Sequence, residues 1–92
     1  MPDYQCRRFL VSGRVQGVFY RATTREQAAA LGLTGWVKNL DDGCVELVAC
    51  GPADVVAKLE QWLYRGPDYA RVDEVLVEDM AIQSFTGFQV RY

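Results

Sequence analysis

The sequence predicts an α+β fold in which two helices lie on one face of an antiparallel sheet. Three observations favour it. Several stretches alternate apolar and polar residues with the period of two that strands show when one face is buried. Two other stretches, one rich in alanine and one with apolar residues at helical spacing, lie between them. The third is an Asp-Asp-Gly sequence between two strand-like runs, which is typical of a hairpin turn.

The first strand ends in a glycine-containing loop, Gly13 to Arg21. Its two alternating sets of residues are Arg7, Phe9 and Val11, and Arg8, Leu10 and Ser12. The helix that follows Arg21 contains mostly good helix formers, and Gly32 is placed to end it in a left-handed conformation. Thr24, Ala28 and Leu31 fall on one stripe, and small side chains there let a helix lie close to a sheet.

The middle of the chain predicts a hairpin followed by a second helix. Leu33 to Leu40 and Cys44 to Cys50 are strand-like, and Gly43 in the Asp41-Asp42-Gly43 turn supplies a positive φ. Gly51-Pro52 opens the helix, with the proline preset for its first turn, and Gly66-Pro67 ends it. The apolar face of this helix consists of Val55, Val56, Leu59, Trp62 and Leu63.

Two more strand-like runs, Arg71 to Glu78 and Phe88 to Tyr92, complete the pattern. The order strand, helix, strand, strand, helix, strand is the ferredoxin-like βαββαβ sandwich, with a short extra C-terminal strand. We expect residues 1–92 to form a single domain, because a chain of 92 residues supports one core and no linker or repeat interrupts it. Trp36 and Trp62 are interpreted as packing residues rather than as a ligand box.

The composition excludes several classes of protein. A net charge of −2 gives no basic excess for nucleic acid, and no aromatic RNA-binding motif is present. The apolar runs are only of strand length, so we expect no membrane span, and the N-terminus lacks the apolar stretch of a signal peptide. A cytoplasmic location is therefore expected. Nothing demands more than a monomer.

Cysteine and histidine usage narrows the chemistry. Cys44 and Cys50 are about 20 Å apart if their strand is extended, so they cannot bridge each other. The odd count of three cysteines favours free thiols in a reducing compartment, with a bridge from Cys6 to one of the others as the alternative. The chain has no histidine, which excludes His-based nucleophilic triads and His-based zinc sites. Asp41 and Asp42 could be read as magnesium ligands, but the hairpin turn already explains them.

The loop from Gly13 to Arg21 is suited to bind an anion. A strand-to-helix loop directs backbone N–H groups into one concavity, and the helix adds partial positive charge at its N-terminus. Arg21 stands at that end, which is an unfavourable place for a cation unless it binds an anion, and its planar guanidinium matches phosphate bidentately. Arg14 is read as exposed, or as a residue that steers the substrate. The loop is neither a Walker A sequence nor a dinucleotide fingerprint.

Asn39 is the second candidate, because asparagine is poorly suited to the strand that it ends. Taken alone, its amide could simply cap the Asp41-Asp42-Gly43 turn. Together, however, the two segments resemble the two signature motifs of the acylphosphatases over nearly the whole chain. The first motif is carried by Val15-Gln16-Gly17-Val18 and Arg21, whereas Asn39, Gly43, Val45 and Gly51 carry the second. Length and strand order are similar to those of the small stand-alone members; Tyr20 departs from the usual phenylalanine or methionine.

The resemblance implies metal-free hydrolysis of acyl phosphates to carboxylate and phosphate, without a cofactor. Arg21 would hold the phosphoryl group and Asn39 would orient the attacking water. The backbone amides of the phosphate-binding loop would surround the phosphate; they belong to Gln16, Gly17, Val18, Phe19 and Tyr20. The C-terminal carboxylate of Tyr92 is a candidate partner of Arg21 in the empty site.

The residue types present suit that chemistry even without the resemblance. Phosphoryl transfer needs positioning and charge neutralisation more than covalent help, and an arginine with an N–H cradle supplies both. A carboxylate leaving group has a low pKa and needs no general acid, so a site without histidine suffices for an anhydride. The alternative function is an anion-binding or regulatory module that keeps the loop with little turnover. The sequence does not identify the physiological acyl phosphate.

Overall fold

The structure, a computed structural model, describes residues 3–92. Its elements, in chain order, are β1 (Tyr4–Arg14), α1 (Tyr20–Ala30), β2 (Thr34–Asn39), β3 (Val45–Pro52), α2 (Ala53–Leu63), β4 (Arg71–Met80) and β5 (Phe88–Arg91). Every strand and helix that the sequence predicts is present, with bounds that differ by a few residues. The largest difference is at β1, which begins at Tyr4. The second helix begins one residue after Pro52, which occupies the N-cap position instead of the first turn.

The five strands form one sheet in the order β4-β1-β3-β2-β5. The four strands of the ferredoxin-like core pair antiparallel, as predicted. β5 instead pairs parallel to β2, with Phe88 opposite Gly35 and Arg91 opposite Lys38, so the sheet is mixed. β4 and β5 stand at opposite edges of the sheet. The segment 81–87 that joins them is therefore a crossover that passes over the three strands between them.

The main core lies between the sheet and the two helices. Alternate residues of the central strands point into it, and the register places Phe9 opposite Leu47 and Val11 opposite Val45. From the helices, Ala28 of α1 and Leu59 of α2 are fully buried in the same cluster. The predicted stripe on α1 is confirmed, because Thr24 and Ala28 are buried and Leu31 packs against the core. Both helices therefore cover the same face of the sheet.

A smaller cluster forms on the opposite face and contains a disulfide bond. Cys6 lies directly opposite Cys50 in the register of β1 and β3, and their sulfurs are bonded. Phe85, from the crossover 81–87, packs against the pair together with Met80 and Trp36. The expectation of three free thiols was therefore wrong. Only Cys44 keeps a free thiol, since it ends up at the hairpin while the other two meet across paired strands.

The local signals at the turns behave as the sequence predicts. Gly32 has a φ of 74° just beyond α1, and Gly43 has a φ of 93° in the turn between β2 and β3. Trp62 is half-buried against the ring of Tyr20, and Trp36 is half-buried beside two cations, Lys38 and Arg91. Within residues 3–92, neither helix has the length and apolarity needed to cross a membrane.

Candidate active site

The loop between β1 and α1 is shaped by a bulge and by two buried valines. The pairing of β1 with β4 shifts between Ser12 and Gly13, and a β-bulge of this kind turns a strand end away from its ladder. Gly13 has a φ of 124°, and a Cβ there would collide with the backbone carbonyl of Arg71. Beyond it, the side chains of Val15 and Val18 are 1% and 7% exposed. The loop is therefore anchored in the core at two points.

The backbone N–H groups of residues 16–22 have no acceptor within the described chain. The first amide of α1 that is bonded is that of Thr23, which donates to the Phe19 carbonyl at 2.9 Å. Gly17 and Phe19 have φ of 73° and 65°, and alternating right- and left-handed residues turn successive N–H groups towards one concavity. No side chain caps α1 and its first turn holds no acidic residue. The positive end of the helix dipole is thus left for an anion.

Phe19 adopts a conformation that phenylalanine rarely adopts. It has the one positive φ of a non-glycine residue between residues 3 and 92, and such a backbone costs roughly 1–3 kcal/mol. Its side chain is 77% exposed, so no burial of the ring offsets this cost. The buried Val15 and Val18 hold the loop in this shape against the strain.

Arg21 and Asn39 line one cleft of about 240 Å³. The cleft is lined by Val15, Gln16, Gly17, Phe19, Tyr20, Arg21, Ala22 and Asn39. The structure thus brings together six of the seven residues proposed from the sequence; the seventh, Val18, turns its side chain into the core. Arg14, at the exposed end of β1, is not among the lining residues.

The guanidinium of Arg21 contacts an aromatic ring rather than a carboxylate. Its Cζ lies 4.6 Å from the centroid of the Tyr92 ring. No carboxylate of residues 3–92, including the C-terminal one, forms an ion pair with it. The suggested pairing with the Tyr92 carboxylate was wrong. A cation–π contact uses the flat face of the guanidinium, so its N–H edges stay available to a phosphate.

Asn39 reaches the cleft because of the sheet register. Val45, the first residue of β3, pairs with Val11 on one side and with Asn39 on the other. Two strand spacings, about 10 Å, therefore separate Asn39 from the end of β1, where the loop begins. The Oδ1 atom of Asn39 is buried and has no donor in the described residues. An unpaired buried amide oxygen is unfavourable by about 1–3 kcal/mol, and such atoms often mark a binding role.

Asn39 does not cap the hairpin turn, which was the alternative role. The turn is closed by Asp42, whose Oδ1 accepts a hydrogen bond from the Cys44 amide at 3.0 Å. That bond holds the pKa of the Asp42 carboxyl below its usual value. Asp41 and Asp42 are both exposed. Within the described part of the chain, no group of three or more histidine, cysteine, aspartate or glutamate side chains could hold a metal ion.

Gln16 has a role that the sequence did not reveal. Its Nε2 donates to the carbonyl oxygens of Leu40 and Cys44, each at 2.8 Å. Both carbonyls belong to the hairpin that follows Asn39. The side chain therefore ties the loop that carries the amides to the strand end that carries Asn39. No sequence signal indicated this contact, because its partners lie 24 and 28 residues away.

The hydroxyl of Tyr20, the departure from the family pattern, points away from the cleft. It donates to the carbonyl of Leu63 at 2.6 Å, at the C-terminal end of α2. Burial raises the pKa of the phenol above its ordinary value. The ring also packs on Trp62, with centroids 5.6 Å apart. Tyr20 is thus a packing residue that joins the two helices, while its backbone lines the cleft.

The chain is similar in sequence and in overall structure to known proteins of one family. The sequence model of the family described as Acylphosphatase matches residues 7–90. The chain is 54% identical over 86 residues to a protein named Acylphosphatase from Pseudomonas aeruginosa, covering 94% of both chains. A solved acylphosphatase from Coxiella burnetii superposes with a TM-score of 0.93 at 47% identity, covering 97% of this chain and 94% of the other. The acylphosphatase crystal structure from Bacillus subtilis also gives 0.93, at 32% identity, with coverages of 98% and 100%.

Proposed function

Because the chain belongs to the acylphosphatase family, we propose that Arg21 and the loop amides bind the phosphoryl group of its substrate and that Asn39 orients the attacking water. The chain hydrolyses the carboxyl-phosphate anhydride of acyl phosphates to carboxylate and phosphate. The observation that carries the residue assignment is the run of amides without acceptors, residues 16–22, beside an arginine that has no carboxylate partner. The amides of the proposed phosphate-binding loop, residues 16–20, belong to that run.

The reaction asks for charge neutralisation and positioning. In the loose transition state of phosphoryl transfer, negative charge spreads over the three equatorial oxygens of the phosphoryl group. Fixed N–H dipoles stabilise this charge without reorganisation, and the two N–H edges of Arg21 hold two oxygens at a defined angle. The buried valines keep the loop in place before the substrate binds. No metal ion is needed for these steps.

Asn39 supplies the orientation of the nucleophile. Its amide has no basic group near pH 7, so it can hold a water molecule but cannot deprotonate it. The water oxygen attacks phosphorus, the bond between phosphorus and the acyl oxygen breaks, and the carboxylate leaves with the electron pair. The proton of the water passes to an oxygen of the phosphate itself. The position of Asn39 supports this assignment, because Asn39 lines the same cleft as Arg21 and the loop.

We also propose that the protein acts as a cytoplasmic monomer without a nucleic-acid partner. The net charge of −2 supports the absence of a nucleic-acid partner, and a cleft built from one chain supports the monomeric state. The free thiol of Cys44 is compatible with a reducing compartment. The Cys6–Cys50 disulfide points the other way, because disulfides are uncommon in such a compartment. Cell fractionation and size-exclusion chromatography with light scattering test the location and the mass. Recovery in an oxidising compartment, or as a dimer, would contradict this proposal.

Substitution of Arg21 tests the anion site. Arg21→Gln removes the charge and the fork of donors, so kcat/KM for acetyl phosphate should fall by at least the roughly 10²–10³-fold typical of one preorganised donor. Arg25→Gln is the matched control, since Arg25 is an exposed arginine one turn later in the same helix. Near-normal activity of Arg21→Gln would overturn the assignment. Addition of a chelator should leave the wild-type rate unchanged.

Substitution of Asn39 separates binding from turnover. Asn39→Ala should lower kcat, because the water loses its orienting group, while the inhibition constant of inorganic phosphate changes little. Turnover that is unchanged together with unchanged phosphate binding would remove Asn39 from the mechanism. Wild-type protein that binds phosphate but does not hydrolyse acetyl phosphate would instead favour a regulatory anion-binding module.

A further inference from the structure

We propose that the ring of Phe19 contacts the acyl part of the substrate and makes the enzyme prefer acyl phosphates with an aromatic or similarly broad apolar acyl group. This inference rests on the proposed function, since it takes the phosphoryl group to be bound by Arg21 and the loop amides. It adds a specificity role for a side chain whose proposed contribution was a backbone amide alone.

The first argument is that the fold gives no reason for a phenylalanine at this position. The loop requires a positive φ at residue 19, which glycine or asparagine adopts with far less strain. A bulky residue is tolerated in the left-handed region when packing offsets the strain. The ring of Phe19 is 77% exposed and is not a member of either hydrophobic cluster. An exposed aromatic ring on a strained backbone beside a binding cleft is a feature that function explains better than stability.

The second argument is the size of the cleft. Its volume of about 240 Å³ is below the roughly 300–1,000 Å³ of pockets that enclose drug-sized ligands. The amides and Arg21 take up its polar part, so the phosphoryl end of the substrate lies there. The acyl group then lies against the remaining lining, which includes Phe19. Phe19 lines the cleft and is 77% exposed, whereas Val15, another apolar lining residue of the loop, is buried.

The third argument is the chemistry of the contact. A flat exposed ring pairs with another aromatic ring in stacked or edge-to-face geometry, and it gains little from a methyl group. A site that relied on Arg21 and the amides alone would treat all acyl phosphates alike, because the anhydride phosphate is common to them. Phe19 is the lining residue that can distinguish a benzoyl from an acetyl group.

The test compares two substrates, benzoyl phosphate and acetyl phosphate, and uses the ratio of their kcat/KM values. In Phe19→Asn, which keeps the preference for a positive φ, we expect this ratio to fall about 2- to 10-fold, mainly through KM for benzoyl phosphate. Phe19→Trp should restore the ratio. Using a ratio removes any general effect of the substitution on the loop amides, since both substrates share the phosphate. Tyr69→Asn, at an exposed aromatic residue outside the cleft, is the control.

The outcomes are distinct from those that test the proposed function. An unchanged ratio in Phe19→Asn, in an enzyme that still depends on Arg21, overturns the role of Phe19 and leaves the phosphate site intact. A fully active Arg21→Gln variant would instead overturn the proposed phosphate site. We also expect the Tm of Phe19→Asn to equal or exceed that of the wild type, because strain is relieved and no core contact is lost. A clear decrease in Tm would show that the ring is structural and would refute the inference.

Discussion

Gln16→Met removes the two hydrogen bonds that join the phosphate loop to the hairpin beside Asn39, while keeping the length of the side chain. A neutral hydrogen bond contributes about 0.5–1.5 kcal/mol net to stability. Both acceptors keep a backbone donor after the substitution, because the Leu40 amide donates to Cys44 at 2.8 Å and the Gly43 amide donates to Leu40 at 3.2 Å. No carbonyl is left orphaned, so we expect a loss of about 1–3 kcal/mol for the pair of bonds.

The substitution should lower the rate of catalysis as well as the stability. A loss of about 1–3 kcal/mol corresponds to a decrease in Tm of roughly 4–24 °C for a domain of this size. The two hydrogen bonds of Gln16 join the loop that carries Arg21 to the hairpin that follows Asn39. A misplacement of about 1 Å between catalytic groups can cost ~10²-fold in rate. We expect kcat/KM for acetyl phosphate to fall at least about 10-fold at a temperature where the variant is fully folded.

Two further variants make the measurement decisive. Gln16→Glu places a carboxylate against two carbonyl oxygens and near the phosphate site, so it should be worse than Gln16→Met in both stability and rate. Gln89→Met is the matched control, because the Nε2 of Gln89 donates to the Thr86 carbonyl at 3.4 Å in an exposed position outside the cleft. Thermal denaturation and steady-state kinetics provide the two readouts. A Gln16→Met protein that loses stability but keeps its kcat/KM would show that the hydrogen bonds of Gln16 do not position the catalytic groups.

Two other predictions concern stability. Tyr20→Phe removes the bond to the Leu63 carbonyl inside the core and should destabilise the fold by about 1–3 kcal/mol in urea denaturation, whereas Tyr64→Phe, at an exposed tyrosine, should not. The disulfide closes a loop with a sequence separation of 44 residues, for which the chain-entropy relation gives about 4 kcal/mol. Reduction, or the double change Cys6→Ala and Cys50→Ala, should therefore lower stability by up to about 4 kcal/mol, whereas Cys44→Ser should not. Alkylation of the unfolded, unreduced protein should label one thiol, and labelling of three would disprove the bond.

The elements of the fold were predictable because their signals are local. Gly32 and Gly43 terminate α1 and β2 through conformations that their own sequence specifies. The direction of β5 was not predictable, since it depends on the path of the crossover 81–87 across the sheet. The Cys6–Cys50 bond depends on the register of β1 against β3, and the sequence carries no local signal for that register.

In the candidate site, too, the features with local sequence signals were predictable and those that depend on long-range contacts were not. Arg21 could be proposed from the sequence because a cation at a helix N-terminus conflicts with the helix dipole, a conflict that is visible in a few residues. The orientation of the Tyr20 hydroxyl and the bonds of Gln16 were not found, since each depends on a contact across at least 24 residues of sequence. The chemistry of a site can be inferred from which groups are present. Its precision depends on contacts that only the folded chain defines.

The two ends of the β1–β3 pair are stabilised in different ways. Cys6 pairs with Cys50 at one end, and Val11 pairs with Val45 five residues along β1, about 17 Å away, at the end that leads into the site. The covalent bond stabilises the ladder on the side away from the candidate site. The end near the proposed phosphate site is held instead by buried valines, a β-bulge and the side chain of Gln16, which leave the amides and Arg21 without protein acceptors. An active site that works by preorganised dipoles requires that arrangement, because any acceptor placed there by the fold would compete with the phosphate.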